Sequence, residues 1–396
     1  MLRPAVHFLL MRSLQYALVP FVALVLTASA VQADQEVPLR APVGADTIAP
    51  SADSLGARVQ TSGALRTRFV RDQTALGLAV YAPAFAGLIG ADGVTGVAGY
   101  LVMAGGTFFA AAEMTRRVNI TESRHLMSSA MGLRGAGSAY WIASTADLKS
   151  TQVAAVTLLG GIGGTASGLY LGGGLTAGEA AATIFGFDLA WLSAYAITAA
   201  GDPNPFNSSG VNPAASSLAW TASGVGGYLA GRWYTRRAPH NVTVGDVQAL
   251  WVGAAVGALG GAAVIGSSRP TESTVAVALL SGGLVGTVAA ERLLVRRYDH
   301  SRGDGNLLAL GGGAGALMGM GIGVLISGSA NRGASPTLAF ATTGAVGGIA
   351  MAERFMRPAS DAGRLAFLER ITLSPTALVA FAARQPGQHS LVHYTF

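Results

Sequence analysis

The chain has 396 residues, 51% of them hydrophobic and only 12% charged, with a mean hydropathy of +0.46. Soluble globular domains carry about 25% charge, so a water-facing surface of ordinary composition is excluded and much of this surface must meet lipid or other helices. There is no cysteine, which rules out disulfides, thiolate metal sites and cysteine nucleophiles, and the formal charge of +6 rests almost wholly on arginine, Lys149 being the only lysine.

The first segment, 1–33, reads as an export signal. Arg3 and Arg12 precede the apolar stretch from Ala17 to Ala28, and Ala28-Ser29-Ala30 or Val31-Gln32-Ala33 offers a small-residue cleavage site. Residues 34–62 are rich in Pro, Ala, Asp, Ser and Gly without periodicity and are expected to be a disordered linker.

From there apolar stretches alternate with short polar breaks, and ten helices fit. Five lie in a first half over 63–200: 64–90, 93–117, 121–142, 148–172 and 176–200. Five more lie in a second half over 214–357: 214–237, 243–267, 271–299, 304–327 and 334–357. Thr176-Ala-Gly-Glu179 is a capping box and Thr243-x-x-Asp246 a similar one, in which each side chain satisfies a backbone N–H left open by the first turn. Pro213, Pro270 and Pro336 sit where helices begin. The turn-rich stretch Gly201 to Pro213 separates the halves.

A repeat underlies the second half. Ala290-Glu291-Arg292 recurs as Ala352-Glu353-Arg354, and Arg296-Arg297 matches Arg236-Arg237 and Arg116-Arg117. Gly245-Asp246, Leu250, Gly253 and Gly257 align with Gly303-Asp304, Leu308, Gly311 and Gly315. The unit is a helix hairpin of about 60 residues, present roughly five times.

Small residues recur at every fourth position within these helices. Gly160/164/168/172, Gly253/257/261 and Gly311/315/319/323 are pure glycine rows. Mixed rows run through Gly178/Ala182/Gly186/Ala190, Ser223/Gly227/Gly231, Gly282/Gly286/Ala290, Gly344/Gly348/Ala352 and Gly132/Ala136. Glycine costs about 1 kcal/mol against alanine inside a helix in water. In a bilayer the unsatisfied backbone is costlier still, so helix is enforced and a bare groove lets a second backbone approach. The expected fold is therefore all-α: glycine-zipper helices in repeated hairpins.

The tail, 360–396, has a shorter period, with strands expected over 376–383 and 390–396 around Gln385-Pro386-Gly387-Gln388, making a small β-hairpin. The alternation of Val392, Tyr394 and Phe396 resembles the last strand of outer-membrane barrel proteins, and the resemblance covers that strand only.

Arginines mark one end of the repeat, and the positive-inside rule would put that end in the cytoplasm. An export signal puts residue 34 outside, and nothing between it and Arg66 makes a crossing. Passage to the outer membrane, where the charge rule has no force, is preferred over an inner-membrane location.

Two charges stand in mid-helix, Arg134 and Asp188, and are expected to form a buried ion pair that fixes helix register. At the arginine end, Arg116, Arg117, Arg236, Arg237, His240, Arg296, Arg297 and His300 form a candidate anion-contacting belt, with His125, Glu122, Asp246, Asp299 and Asp304 nearby. One histidine per repeat suits a belt better than a single metal ion. Gly161-x-Gly163-x-x-Ala166 follows no strand, so it is read as packing and not as a dinucleotide site. No paired carboxylates, HExxH or G-x-S-x-G are found, so no catalytic residue, cofactor or metal is expected.

The function these features suggest is a non-enzymatic, exported multi-helix membrane protein of the cell envelope, structural or a pore or carrier. The alternative is an exported peripheral scaffold that binds an anionic partner through its Arg/His-rich end. Expected partners are membrane lipid, an anionic lipid or polysaccharide, and a second copy of the chain, with no role for nucleic acid.

Overall fold

The computed structural model describes residues 52–90, 93–201, 212–265, 271–297, 299–327 and 335–356, and two short strands in the tail. Ten helices follow one another. The rod α1 comprises Ala52–Leu76, a π-helical turn Gly77–Tyr81 and Ala82–Leu88. Then come α2 (Val94–Arg117), α3 (Glu122–Thr145), α4 (Ser150–Gly172), α5 (Ala177–Gly201), α6 (Pro213–Arg237) and α7 (Val244–Ile265). The series ends with α8 (Glu272–Ala290, continued by a π-helical Glu291–Val295), α9 (Arg302–Ser327) and α10 (Ser335–Met356).

The helix boundaries fall within a few residues of those expected, except at the start. The rod α1 begins at Ala52, inside the segment read as a linker. After Pro50 that stretch has no proline, and Ala52, Leu55, Ala57, Arg58 and Gln60 are good helix formers. The export signal, most of the linker and the loop 202–211 lie outside the described residues, as do the expected strand 376–383 and turn 385–388. In the tail, Ile371–Leu373 pairs antiparallel with Val392–Tyr394, Ile371 opposite Tyr394.

Consecutive helices are the closest neighbours from α3 onward: α3 packs most extensively on α4, α5 on α6, α7 on α8 and α9 on α10. In all four pairs the backbones meet at glycine. A Cβ on Gly257 would collide with the Gly282 carbonyl oxygen, and one on Gly282 with that of Gly257. Gly315 and Gly344 stand in the same reciprocal relation, as do Gly186 and Gly227, while Gly135 faces the carbonyl of Gly160. Removing side chains at these points lets the rods approach closely enough for backbone dispersion contacts to replace interdigitating side chains. The first pair differs, because Gly77 faces the Thr107 side chain and not a backbone.

The pairs connect through α7, which touches α5, α9 and α10 as well as α8. Around it lies the main core: Phe185 of α5, Val247 and Leu250 of α7, Leu294 and Val295 of α8, Leu308 of α9 and Ala352 of α10. From α2 onward every even-numbered helix ends, and from α3 onward every odd-numbered helix starts, near the same charged end.

Six helices, α2, α4, α5, α7, α8 and α9, are long and apolar enough to cross a membrane. Their outward faces are apolar too: Val102 and Phe109 on α2, Val285 on α8, and Leu317 on α9 are each about 70% exposed. Even α6, which is not among the six, shows Leu218, Val225, Leu229 and Trp233 along one exposed stripe. Apolar patches of this extent mark a membrane-facing or partner-facing surface, not one made for water.

Candidate functional site

Among the described residues, two charged assemblies stand out in the apolar bundle. The first lies between α3 and α5. Arg134 donates from Nε to Asp188 Oδ1 at 2.5 Å and from a terminal amine to Oδ2, a bidentate pair. A second terminal amine donates to the Ala130 carbonyl at 3.0 Å, and the Phe187 ring lies 5.9 Å from the guanidinium carbon. Both side chains are mostly buried, 17% and 12% exposed. The fork of the guanidinium matches the carboxylate, so each charge is desolvated only against its opposite.

The second assembly is the charged end, and helix starts build it. Thr176 and Glu179 cap α5 reciprocally, Thr243 and Asp246 cap α7, and Ser301 and Asp304 cap α9. Thr121 accepts from the Arg124 N–H at the start of α3. The box at Ser301 escapes the sequence reading although its chemistry is that of the other two.

These caps also join neighbouring pairs. Asp246 Oδ1 accepts from the His300 backbone N–H at 3.0 Å and from its Nδ1 at 2.9 Å, and both residues are fully buried. Thr243 donates to the His300 carbonyl at 2.5 Å. Glycine makes room for this: a Cβ on Gly245 would strike the carbonyls of His300 and Ser301, and one on Gly178 that of Val242. His300 is thus a correction to the anion-contacting belt, since its ring is sealed inside the bundle and clamps α7 to the loop before α9.

Three further carboxylates are engaged here. Tyr234 at the end of α6 donates to Glu291 of α8 at 2.5 Å, and Arg296 donates to the same carboxylate at 3.2 Å. His125 Nε2 lies 2.8 Å from Asp72 Oδ2, while Arg71 Nε donates to Asp72 Oδ1 at 3.0 Å. Burial raises the Asp72 pKa, but the hydrogen bonds and charges of His125 and Arg71 outweigh it and hold the carboxyl below its ordinary value. Arg302 of α9 pairs with Glu122 of α3, tying the last helix pair to the second.

The other belt residues remain at the surface in varied company. Arg116 and Arg117 share Glu113, at 3.5 and 3.0 Å, and are about four-fifths exposed. Arg236, Arg237, Arg296 and Arg297 are exposed, Arg237 lying 5.8 Å from the Trp233 ring centre. His240 is half-buried against Tyr234, its two ring nitrogens covered and without a hydrogen-bond partner. His125, His240 and His300 do not converge, and no group of His, Asp and Glu placed to hold a metal occurs among the described residues.

No family model matches the chain, and neither curated proteins nor solved structures show a similar one.

Proposed function

We propose that this chain is a non-enzymatic, multi-helix membrane protein of the cell envelope, built from repeated glycine-zipper hairpins and serving as a structural element of the membrane. The observation that carries the reading is the division of surface. The large side chains exposed along the six candidate spans are mostly apolar, whereas most arginines gather at one end and the mid-helix charges Arg134 and Asp188 neutralise each other. A conduit for ions needs several ionisable groups facing a polar path at mid-span. The bundle instead offers the bidentate Arg134–Asp188 pair, whose groups satisfy each other, which favours structure over a pore or carrier.

The second reading, an exported peripheral scaffold, draws on the exposed arginines of the charged end, Arg236, Arg237 and Arg297 above all. Extraction separates the two. Membranes washed at alkaline pH should retain the full chain, and only detergent should release it. Release by carbonate alone would replace the first reading with the second.

A further inference from the structure

The helices α1 and α2 pack along Ala82–Leu88 and the π-helical turn, and Phe69 and Ala111 share a buried cluster nearer the charged end. At Gly77 a side chain would collide with Thr107, and Tyr100 donates to the Leu78 carbonyl at 3.0 Å within the π-helical turn. Between this pinch and the charged end lies an open cleft of about 670 Å³, within the size range of small-ligand sites. Its walls are mainly apolar: Val70, Ala75 and Leu78 of α1 face Phe108 and Ala112 of α2, and Thr67 and Thr74 also line it.

At the other end of the cleft stand Arg66 and Arg71, both exposed and both lining it. The carboxylates nearby are already engaged by neighbouring side chains. Asp72 is shared between Arg71 and His125, and Glu113 between Arg116 and Arg117. The mouth of the cleft therefore carries a net positive charge.

Its height in a bilayer follows from α2. That helix has 24 residues and ends on Arg116 and Arg117. At 1.5 Å per residue it rises about 36 Å, slightly more than the ~30 Å hydrocarbon core, so its last turn lies among the headgroups. Arg66 and Arg71 flank the same stretch of α2, and the apolar walls extend from them into hydrocarbon.

We propose that this cleft holds one acyl chain of an anionic phospholipid, with the lipid phosphate against Arg66 and Arg71. The inference rests on the membrane reading and adds a ligand to it. A zwitterionic lipid would fill the same apolar walls but gain less from the arginines, because its headgroup is neutral overall. A soluble phosphate would gain the arginines but leave the walls empty.

The test uses the full chain purified in a neutral detergent. Thermal unfolding is followed with added phosphatidylglycerol, with phosphatidylcholine of identical chains, or with glycerol phosphate. Saturating phosphatidylglycerol should raise the midpoint by about 3–5 °C, phosphatidylcholine by less, and glycerol phosphate not at all. Arg66→Gln with Arg71→Gln should reduce the phosphatidylglycerol shift to that of phosphatidylcholine. Ala112→Phe, which plugs the cleft, should shrink both shifts. Arg236→Gln with Arg237→Gln should leave the preference intact. Because Arg71 also holds Asp72, Arg66→Gln alone serves if the double variant fails to fold, with at least half of the preference lost. Equal shifts for the two lipids, a preference that survives at Arg66, or a shift produced by glycerol phosphate would each overturn the proposal. Carbonate release would defeat the membrane reading without bearing on these shifts, so the two failures are separable.

Discussion

Arg134 lies in an α3 turn whose neighbours Leu133 and Gly135 give it no polar company, and the Asp188 carboxylate supplies what solvent would otherwise provide. Removing one partner leaves the other charge buried and unmatched, which typically costs 3–5 kcal/mol, whereas removing both leaves only a packing defect. Asp188→Asn should therefore destabilise the protein by about 3 kcal/mol, and Asp188→Leu combined with Arg134→Leu should recover much of the loss. Denaturant titration in detergent micelles measures this, and identical midpoints for all variants would dispose of the coupling. A second prediction concerns Asp72, in the charged first part of α1 and outside the six spans. Its folded pKa lies below the unfolded value of about 3.9, so the unfolded chain takes up the proton first as pH falls. The stability Asp72 supplies is complete above pH ~4 and disappears as pH drops through the folded value. Asp72→Asn should accordingly flatten the stability profile in that acid window. The mid-helix charges draw attention in the sequence because an ionised group in an apolar setting has few ways to be satisfied. His300 misleads for the opposite reason: a histidine beside Arg296 and Arg297 reads as surface, and only the docking of α7 against residues 300–301 buries it.

Helices are where the sequence reads most directly, since polar breaks, prolines and Thr–Glu or Thr–Asp boxes delimit them and backbone hydrogen bonding needs no tertiary partner. The π-helical turns at Gly77–Tyr81 and Glu291–Val295 leave no such trace, because one extra residue in a turn barely disturbs an apolar pattern. The pairing of Arg302 with Glu122 is likewise hidden, as it joins residues 180 positions apart whose meeting depends on how the intervening helices pack. Glycine position, by contrast, can be tested element by element. Gly257 and Gly344 each face a carbonyl of the paired helix, so Gly257→Val or Gly344→Val must force the rods apart. A loss of about 3 kcal/mol is expected for each, the upper range of overpacking, because backbone cannot rotate away as a side chain can. Gly313 and Gly163 have nothing within 4 Å of a Cβ position. There Gly→Ala should be neutral or stabilise by about 1 kcal/mol through helix propensity alone. Resistance to unfolding in SDS, compared across the four variants, separates contact from propensity. If the faced and the open glycines respond alike, close backbone approach contributes nothing.

The whole bundle imposes crossings that single helices do not advertise. The candidate spans α2 and α4 both run toward the charged end, and α3 alone connects the end of one to the start of the other. The span α5 runs away from that end, as does α7, and α6 alone returns the chain between them. If these spans cross the bilayer, α3 and α6 must cross as well, although neither is apolar enough to be counted. The Arg134–Asp188 pair makes this less costly for α3, since a matched charge pair enters an apolar medium far more easily than either charge alone. Such an arrangement puts residues 117, 237 and 297 on one side and residues 147 and 271 on the other. The absence of cysteine makes this measurable without a background to remove. Single cysteines at Arg117, Arg237 and Arg297 should react with a membrane-impermeant maleimide in one compartment, and those at Asp147 and Thr271 in the opposite one. Mixed labelling within either set would break the shared polarity of the helix pairs. The compartment itself then resolves the conflict between export and arginine distribution. Arginine-end cysteines protected in intact spheroplasts would place that end in the cytoplasm and remove the case for an export signal. Labelling there once the outer membrane alone is opened would put the charged end in the periplasm, where the positive-inside rule does not act on a protein already past the inner membrane.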